Sequence, residues 1–536
     1  MKNELENRLK KILKTKEKPQ VKIILNQHGD LASNALFIWA KENKSNPYKG
    51  WEENKEKLNY YFKNIFDKIE FENGYLNFFI KKDILFKFFK LLLKNKKNIF
   101  ELNFFKSNFG HNQKIILEFV SANPTGPLHL GNGRNAILGE ILSRILKETG
   151  FSVFKEYYNN NRGKQIETLG LSALNFLGFK INKEDLYRGD YLKELAEKNK
   201  GLCLKLKDQP EYLGYLLSKK ILEFYIKPTL KSLNVSFDNF FSEKKLYEKL
   251  DKEVLNKIKK FTYEKDGALW LKLQSKDEVL IKKTKEPTYF FSDILYHYNK
   301  FKIRKFKYSI NIFGADHLDH ARRLKEALNY FGIKEKQLKF IIYQLVYVKK
   351  GESTLKMSKR KGDFVLLDDL IKEVGPDPIK FYFALHPPET HLLFDIDLAK
   401  KKNEENLYWY VVYTGARLWS ILEKAKKEKI IKNFNFKLDP KKAWDYLKEN
   451  DDVINILKRI YFVKDILIDI SKNFQIQILP QYIVEISKII NSFYEKEKII
   501  ENDLKKTLSK LEFVYCITNA LKRLFYLINI EFKEKV

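Results

Sequence analysis

Apolar residues recur with two different periods along this chain, and the change of period divides it into three regions. From about residue 106 to 400, short apolar runs alternate with stretches of helical periodicity. "KIILEFV" (114–120), "FSVFKEYY" (151–158), "YSINIFGAD" (308–316) and "KFIIYQLVYV" (339–348) have the near-continuous apolar character of strands buried on both faces. Between the first two, Ile137, Leu138, Ile141, Leu142, Ile145 and Leu146 form one apolar helix face. The alternation predicts an α/β fold with a parallel sheet. A long, mostly helical stretch from about 160 to 285 reads as one or more insertions into it. Residues 1–105 mix amphipathic helices with one strand-like run, "GYLNFFI" (74–80), and predict a small α+β domain. Residues 401–536 keep a 3.6-residue period with Gly415 as their only glycine, which predicts an all-α bundle.

Composition adds a partner class. There are 101 Lys and Arg against 69 Asp and Glu, a formal charge of +32, which points to a polyanion and first to nucleic acid. The abundance of Lys, Asn, Ile, Phe and Tyr together is also what an AT-biased codon supply yields, so charge alone decides little. Two distant cysteines, Cys203 and Cys516, exclude a disulfide framework and fit a reducing cytoplasm. The opening "MKNELENRLKKIL" lacks the apolar core of a signal peptide, and "ILFKFFKLLL" (84–93) is short and broken by lysines, so no membrane span is expected.

The chemistry concentrates in two loops. "SANPTGPLHLGNGR" (121–134) joins the first strand to its helix, at the carboxyl edge where parallel sheets bind ligands. Gly131 and Gly133 lack a Cβ and would let a phosphate approach the backbone, and the helix start supplies unpaired N–H groups. His129 and Asn132, three apart, can face one ligand. "GNGRNA" also fits G-x-G-x-x-A with Glu156 downstream, a dinucleotide-binding pattern, but its first glycine stands ten residues beyond the strand. The second loop, "LKMSKRKGD" (355–363), offers Lys356 and Lys359 to a triphosphate whose leaving group gains charge. "ADHLDH" (315–320) has the composition of a metal site, but no further cluster supplies ligands, and no resident metal is expected. Glu118, alone in an apolar strand, calls for a cationic partner.

Together these loops resemble the two signatures of class I aminoacyl-tRNA synthetases, and within that class the chain resembles arginyl-tRNA synthetases almost end to end. "EFVSANPTGPLHLGNGR", "EYYNNNRGKQI" (156–166), "YRGDYLKELA" (187–196), "VSFDNFFSE" (235–243), "EKDGALWL" (264–271), "PTYFFSDILYH" (287–297) and "KMSKRKGDFVLLDDLIKEVG" (356–375) follow in the family's order. The resemblance implies a Rossmann-type catalytic domain, an N-terminal domain at the tRNA elbow and a C-terminal anticodon-binding bundle. It implies ATP as substrate with Mg²⁺, no organic cofactor, L-arginine and tRNA-Arg as partners, a monomer, and activation that needs tRNA present. Pro127, His129, Gly131, Asn132, Lys356, Met357, Ser358 and Lys359 become the ATP site, with His129, Asn132, Lys356 and Lys359 catalytic. A guanidinium has donors only, so its pocket must offer carboxylates; by resemblance these are Glu118 and Asp293, with Tyr289 beside them and Asn123 and Asp316 on the α-amino group. Asn77, Tyr408 and Tyr413 become tRNA contacts.

The chain departs from the family at Asn132, where His is usual. An amide can still donate to an oxygen but carries no charge, so binding is expected to survive and the rate to depend on the change. Asn161 stands where relatives often have Asp, and Asn491 and Val536 replace the usual His and Met, which bears on the anticodon contacts. Two rival functions stay open on sequence alone: a class I synthetase for another amino acid, and a silent paralogue that only binds tRNA.

Overall fold

The computed structural model describes residues 1–94, 103–248, 250–315, 318–355, 366–432 and 439–536. At its centre lies a five-stranded sheet of β5 (Lys114–Glu118), β6 (Ser152–Asn159), β7 (Asn239–Ser242), β11 (Tyr308–Gly314) and β12 (Leu338–Tyr343), in the order β12-β11-β5-β6-β7. Every pairing is parallel. The strand order reverses between β5 and β11, so the crevice at their carboxyl ends is the place a ligand is expected.

Around it, β1 (Val21–Asn26), β2 (Gly29–Ser33), β3 (Phe66–Glu72) and β4 (Tyr75–Ile80) form an N-terminal antiparallel sheet, where the sequence pattern showed one strand only. The stretch read as a helical insertion holds more than helices. It contributes β7 to the central sheet, and β8 (Thr262–Lys265), β9 (Ala268–Leu271) and β10 (Glu278–Ile281) as a separate antiparallel sheet. "KFIIYQLVYV", read as one strand, breaks after Tyr343. Its second half is β13 (Val346–Lys350), which pairs with β14 (Ser353–Leu355) and β15 (Leu392–Asp395). The C-terminal region is helical as expected, with helices Leu407–Lys427, Pro440–Leu447, Asp451–Asn473, Ile478–Lys496 and Leu504–Leu527.

One apolar core runs from the N-terminal domain through β5 and the helix Leu130–Glu148 into the C-terminal bundle. A second lies under helix Tyr289–Tyr298 and includes Leu271 and Leu280 of the small sheet. The domains also meet through polar contacts. Arg523 pairs with Glu148, Thr149 and Ser471 share a hydrogen bond of 2.8 Å, and Lys458 reaches Asp30 at 2.8 Å. Among the described residues no helix is long and apolar enough to cross a membrane.

The helix Leu130–Glu148 lies against β5 so closely that a Cβ on Gly139 would sit 2.2 Å from the Phe119 ring. Alanine is about 1 kcal/mol better than glycine inside a helix, while overpacking a core costs about 1–3 kcal/mol. Gly139→Ala should therefore lower the urea midpoint; a raised midpoint would show that the contact yields.

Candidate active site

The site is built on the end of β5. Beyond Glu118 the backbone turns left-handed at Val120 (φ 66°) and Ser121 (φ 39°), an unfavourable choice for a β-branched residue. Such strain costs about 1–3 kcal/mol per residue and persists only where neighbours over-determine it. Here they do. Val120 N–H donates to Asn135 Oδ1 at 2.9 Å, Tyr158 N–H to Ser121 Oγ at 3.0 Å, and the Tyr157 hydroxyl to the Ala122 carbonyl at 2.6 Å. The other end of the Asn135 amide donates to the Ile312 carbonyl at 2.9 Å, stitching β5 to β11 at the reversal point. The Pro-rich loop that follows is pinned by the Tyr191 hydroxyl, which donates to the Thr125 carbonyl at 2.6 Å.

His129 caps the helix Leu130–Glu148. Its Nδ1 accepts from the Asn132 N–H at 3.4 Å, and Asn132 Oδ1 accepts from the His129 N–H at 3.2 Å, a reciprocal capping box. The carbonyl of Asn132 is thus spent on the helix start, which leaves its NH₂ as the end for a ligand. Gly133 has a different role from the one its sequence position suggested: a Cβ there would meet Leu367 at 2.7 Å, so it admits a neighbouring helix, not a phosphate. Arg134, fully buried, donates to the carbonyls of Gln344 (3.1 Å), Thr390 (2.7 Å) and Pro387 (2.7 Å), and burial pulls its pKa down to about 10. Leu367 N–H bonds the Leu128 carbonyl at 3.0 Å, and Leu366 bridges to His129. The segment after residue 365 is therefore tied to the His129 loop. Lys356, Met357, Ser358 and Lys359, like Asp316, lie outside the described residues.

Across the crevice, the helix Tyr289–Tyr298 starts at a Thr288 cap, its hydroxyl accepting from Phe291 N–H. It presents Tyr289, exposed, and Asp293, whose Oδ2 meets His320 Nε2 at 2.5 Å. Glu118 is not a bare acid in this crevice. Its Oε2 pairs with Lys300 at 2.6 Å and its Oε1 accepts from Ser121 at 3.2 Å, both charged groups being buried. Burial pushes Glu118 up and Lys300 down, and each opposes that effect in the other. Asn123, exposed, donates to Gln165 at 2.6 Å. Glu156 is held by Arg304 through two bonds of 2.8 Å and by Tyr296 at 2.7 Å, so it has nothing to offer a ribose. The dinucleotide reading fails on that contact.

Sequence reasoning missed Glu243. It is 3% exposed and its Oε2 finds no hydrogen-bond partner among the described residues. Burial pushes it up to about 7, against the Ser292 hydrogen bond and Arg162, with Asp293 raising it further. Tyr289 feels its charge. A buried acid beside Asp293 whose hydrogen bonds do not hold it in the ordinary carboxylate range marks a candidate cation site. Its sequence signal was its place at the end of the run "VSFDNFFSE", directly after "NFFS".

Of the three expected tRNA contacts, two are buried and one is exposed. Asn77 is 5% exposed, with its amide donated to Glu72 at 3.0 Å, and Tyr408 is 7% exposed against Phe381, so neither has a face for a base. Tyr413, 38% exposed, stacks on Trp409 at 4.5 Å with Arg417 nearby. Asn491, buried, donates to Thr414 at 2.9 Å and joins two helices. Among the described residues no group of three His, Cys, Asp or Glu side chains converges as a metal site.

Three family models match the chain: "Arginyl tRNA synthetase N terminal domain" over residues 1–80, "tRNA synthetases class I (R), catalytic domain" over 96–377 and "DALR anticodon binding domain" over 411–536. It is 36% identical over 529 residues to the arginine–tRNA ligase of a Nitratiruptor species, covering 95% of each chain. It is 34% identical to that of Aliarcobacter butzleri, covering all of both chains. Among solved structures, Thermus thermophilus arginyl-tRNA synthetase superposes with a TM-score of 0.78 at 19% identity, over the whole of both chains. Mycobacterium tuberculosis methionyl-tRNA synthetase shares the fold more loosely, with a TM-score of 0.57 at 11% identity, over 78% of this chain and 91% of that one.

The raised pKa of Glu243 has a stability consequence with a definite sign. The fold favours its protonated form, so the penalty is absent below the ordinary carboxylate range. It grows as pH rises and is complete above about 7. Glu243→Gln should raise the melting temperature of the ligand-free protein at pH 8, by a gain on the order of 3 kcal/mol at most, and have no such effect near pH 4.5. An equal change at both pH values would remove the burial argument.

Proposed function

The chain belongs to the arginyl-tRNA synthetase family, and on that footing we propose how its residues carry the reaction. It is a class I aminoacyl-tRNA synthetase, an arginine–tRNA ligase that uses ATP as substrate. The arginine carboxylate attacks the α-phosphorus of ATP, one P–O bond forms as another breaks, and pyrophosphate leaves. The arginyl carbonyl of the adenylate is then attacked by a hydroxyl of the terminal ribose of tRNA-Arg, and AMP leaves. No covalent enzyme intermediate is needed; positioning and charge stabilisation carry the rate.

In our assignment, His129, Gly131, Asn132 and Pro127 hold the nucleotide at the helix start, where N–H groups and the helix dipole favour phosphate. Lys356, Met357, Ser358 and Lys359 take the triphosphate, and the tie between Leu366 and His129 supports their approach to it. Mg²⁺ accompanies ATP. The α-amino group goes to Asn123 and Asp316. The guanidinium goes to Asp293 and Glu243 with Tyr289, while Glu118 supplies negative field from beneath through its pair with Lys300. The observation that carries arginine specificity is the buried Glu243 beside Asp293, with its Oε2 lacking a hydrogen-bond partner among the described residues. A neutral side chain would bring that acid no counter-ion and would forgo the charge-assisted bonds a guanidinium makes to it.

Residues 1–105, 106–400 and 401–536 are assigned to the tRNA elbow, the chemistry and the anticodon. Tyr413, with Trp409 and Arg417, is our candidate contact for a base. We assign a cytoplasmic monomer.

The test is aminoacylation of total tRNA across an amino-acid panel, with arginine alone expected to be charged; charging of another amino acid would refute the pocket. In the same assay Asn132→Ala should slow adenylation by one to two orders of magnitude, as loss of one transition-state donor does. Asn132→His should retain activity. An alanine variant as fast as the parent would leave Asn132 a capping residue only.

A second expectation concerns coupling. tRNA binding draws on several phosphate contacts and weakens steeply with salt, and it can shift the loops around Asn123 and Lys356 toward their competent arrangement. Arginine-dependent ATP–pyrophosphate exchange should be negligible without tRNA and appear with tRNA-Arg. At limiting tRNA, added salt should abolish it, and saturating tRNA should restore it. Robust exchange in the absence of tRNA would break the coupling but not the assignment.

A further inference from the structure

The His-Asp-rich segment "ADHLDH" has a use that its composition did not suggest. His320 stands in the first turn of the helix Leu318–Asn329 and reaches across to the helix Tyr289–Tyr298. There its Nε2 lies 2.5 Å from Asp293 Oδ2, and the Phe290 ring meets the imidazole edge-on at 5.5 Å and 88°. The ring thus meets a carboxylate and an aromatic face, with its Nε2 on Oδ2 of Asp293.

We propose that His320 is a positioning residue: its Nε2–H fixes the Asp293 carboxylate so that the remaining lone pairs, those of Oδ1 above all, are aimed at the substrate's guanidinium. This rests on the assignment of Asp293 to the guanidinium. An aspartate has a broad terminal torsion, so a partly exposed Asp293 without a partner would sample many orientations. A planar fork with parallel donors is sensitive to that orientation, because both bonds are lost together when the carboxylate turns. One fixed hydrogen bond removes the freedom before the substrate arrives and so reduces the entropy lost on binding. The bond also sets the tautomer, since an ionised carboxylate only accepts.

The surroundings suit this task. Asp293 and His297 face the ring from the helix Tyr289–Tyr298, Arg323 from its own helix, and Glu278 from β10. Arg323 is itself paired with Glu278. Burial works against a charged His320, but the hydrogen bond and charge of Asp293 outweigh it. His297, buried and pushed well below the usual histidine range, donates no rival charge; its Nδ1 is taken by the Asp293 backbone carbonyl at 2.9 Å. The small sheet and both helices thus converge on the orientation of one carboxylate.

The test uses the full-length enzyme with tRNA-Arg, measuring KM for arginine, ATP and tRNA, and kcat, in His320→Leu, His320→Gln, Asp293→Asn and the Asp293→Asn/His320→Leu double variant. Loss of one charge-assisted hydrogen bond should raise the arginine KM of His320→Leu about tenfold. Its kcat and its KM for ATP and tRNA should stay within about twofold. His320→Gln, whose amide can reach the same oxygen, should recover most of the loss. In the double variant the leucine should add nothing to the asparagine, because both remove one interaction. An unchanged arginine KM in His320→Leu overturns the proposal. So does a parallel rise in all three KM values, a glutamine no better than leucine, or additive effects in the double variant. Should His320→Leu fail to fold, His320→Ala carries the same comparison. If Asp293→Asn itself leaves the arginine KM unaltered, the pocket assignment fails; if Asp293→Asn raises it and His320→Leu does not, only the role of His320 fails.

Discussion

A carboxylate buried at the carboxyl edge of a parallel sheet must be neutralised, and most of this site follows from how its acids meet that demand. Three of them meet it in three ways. Glu156 takes a bidentate arginine and becomes structure. Glu118 takes a fully buried lysine, with Ser121 and the left-handed turn of β5 closing around it. Glu243 takes a hydrogen bond with Ser292 and the charge of Arg162, which do not offset its burial, so its own charge is suppressed instead. The first two are costly arrangements whose desolvation consumes much of the attraction between the partners. They confine negative field to a small volume beside the third acid. In the proposed reading a cationic side chain entering from solvent supplies the counter-charge that Glu243 lacks.

The lysine that serves Glu118 depends on a local irregularity. Helix Tyr289–Tyr298 widens by one residue per turn over Asn299–Ile303. Insertions of this kind are frequent at functional sites, and they re-aim side chains that a regular helix would send elsewhere. Here Lys300 lies in the widened segment and Arg304 directly after it, each reaching one of the two acids. The chain therefore supplies an acid from β5 and from β6 and both their counter-ions from one irregular turn.

Much of this was legible in the sequence, for identifiable reasons. The buried strands β5, β6 and β11 announced themselves by continuous apolar runs, and the helical C-terminal region by its period. β7 stayed hidden because four residues carry no period. The break after Tyr343 was invisible because Gln344 and Leu345 interrupt an apolar run too gently. Loop chemistry was legible because Pro, Gly and His are rare here and cluster. Exposure was not: Asn77, Tyr408 and Asn491 are polar or amphipathic residues that local sequence cannot tell from surface ones, and each proves buried. Glu243 shows the same limit from the other side, since what distinguishes it from the chain's other glutamates is its surroundings, which come from β6, Ser292 and Arg162 far along the chain.

The helix Leu130–Glu148 begins at the His129–Asn132 cap and ends at the Glu148–Arg523 pair, inside the C-terminal bundle. Its 19 residues make a rod about 28 Å long at about 1.5 Å each. Glycine at 139 and a strand pressed against it leave that rod little room to bend. As a lever, it converts a tilt of about one degree at the bundle into about 0.5 Å at the cap. Displacements of that size matter where reacting atoms must align within about 1 Å. Whatever seats itself on the far helices therefore has mechanical leverage on the first turn of this one, with no relay of side chains in between.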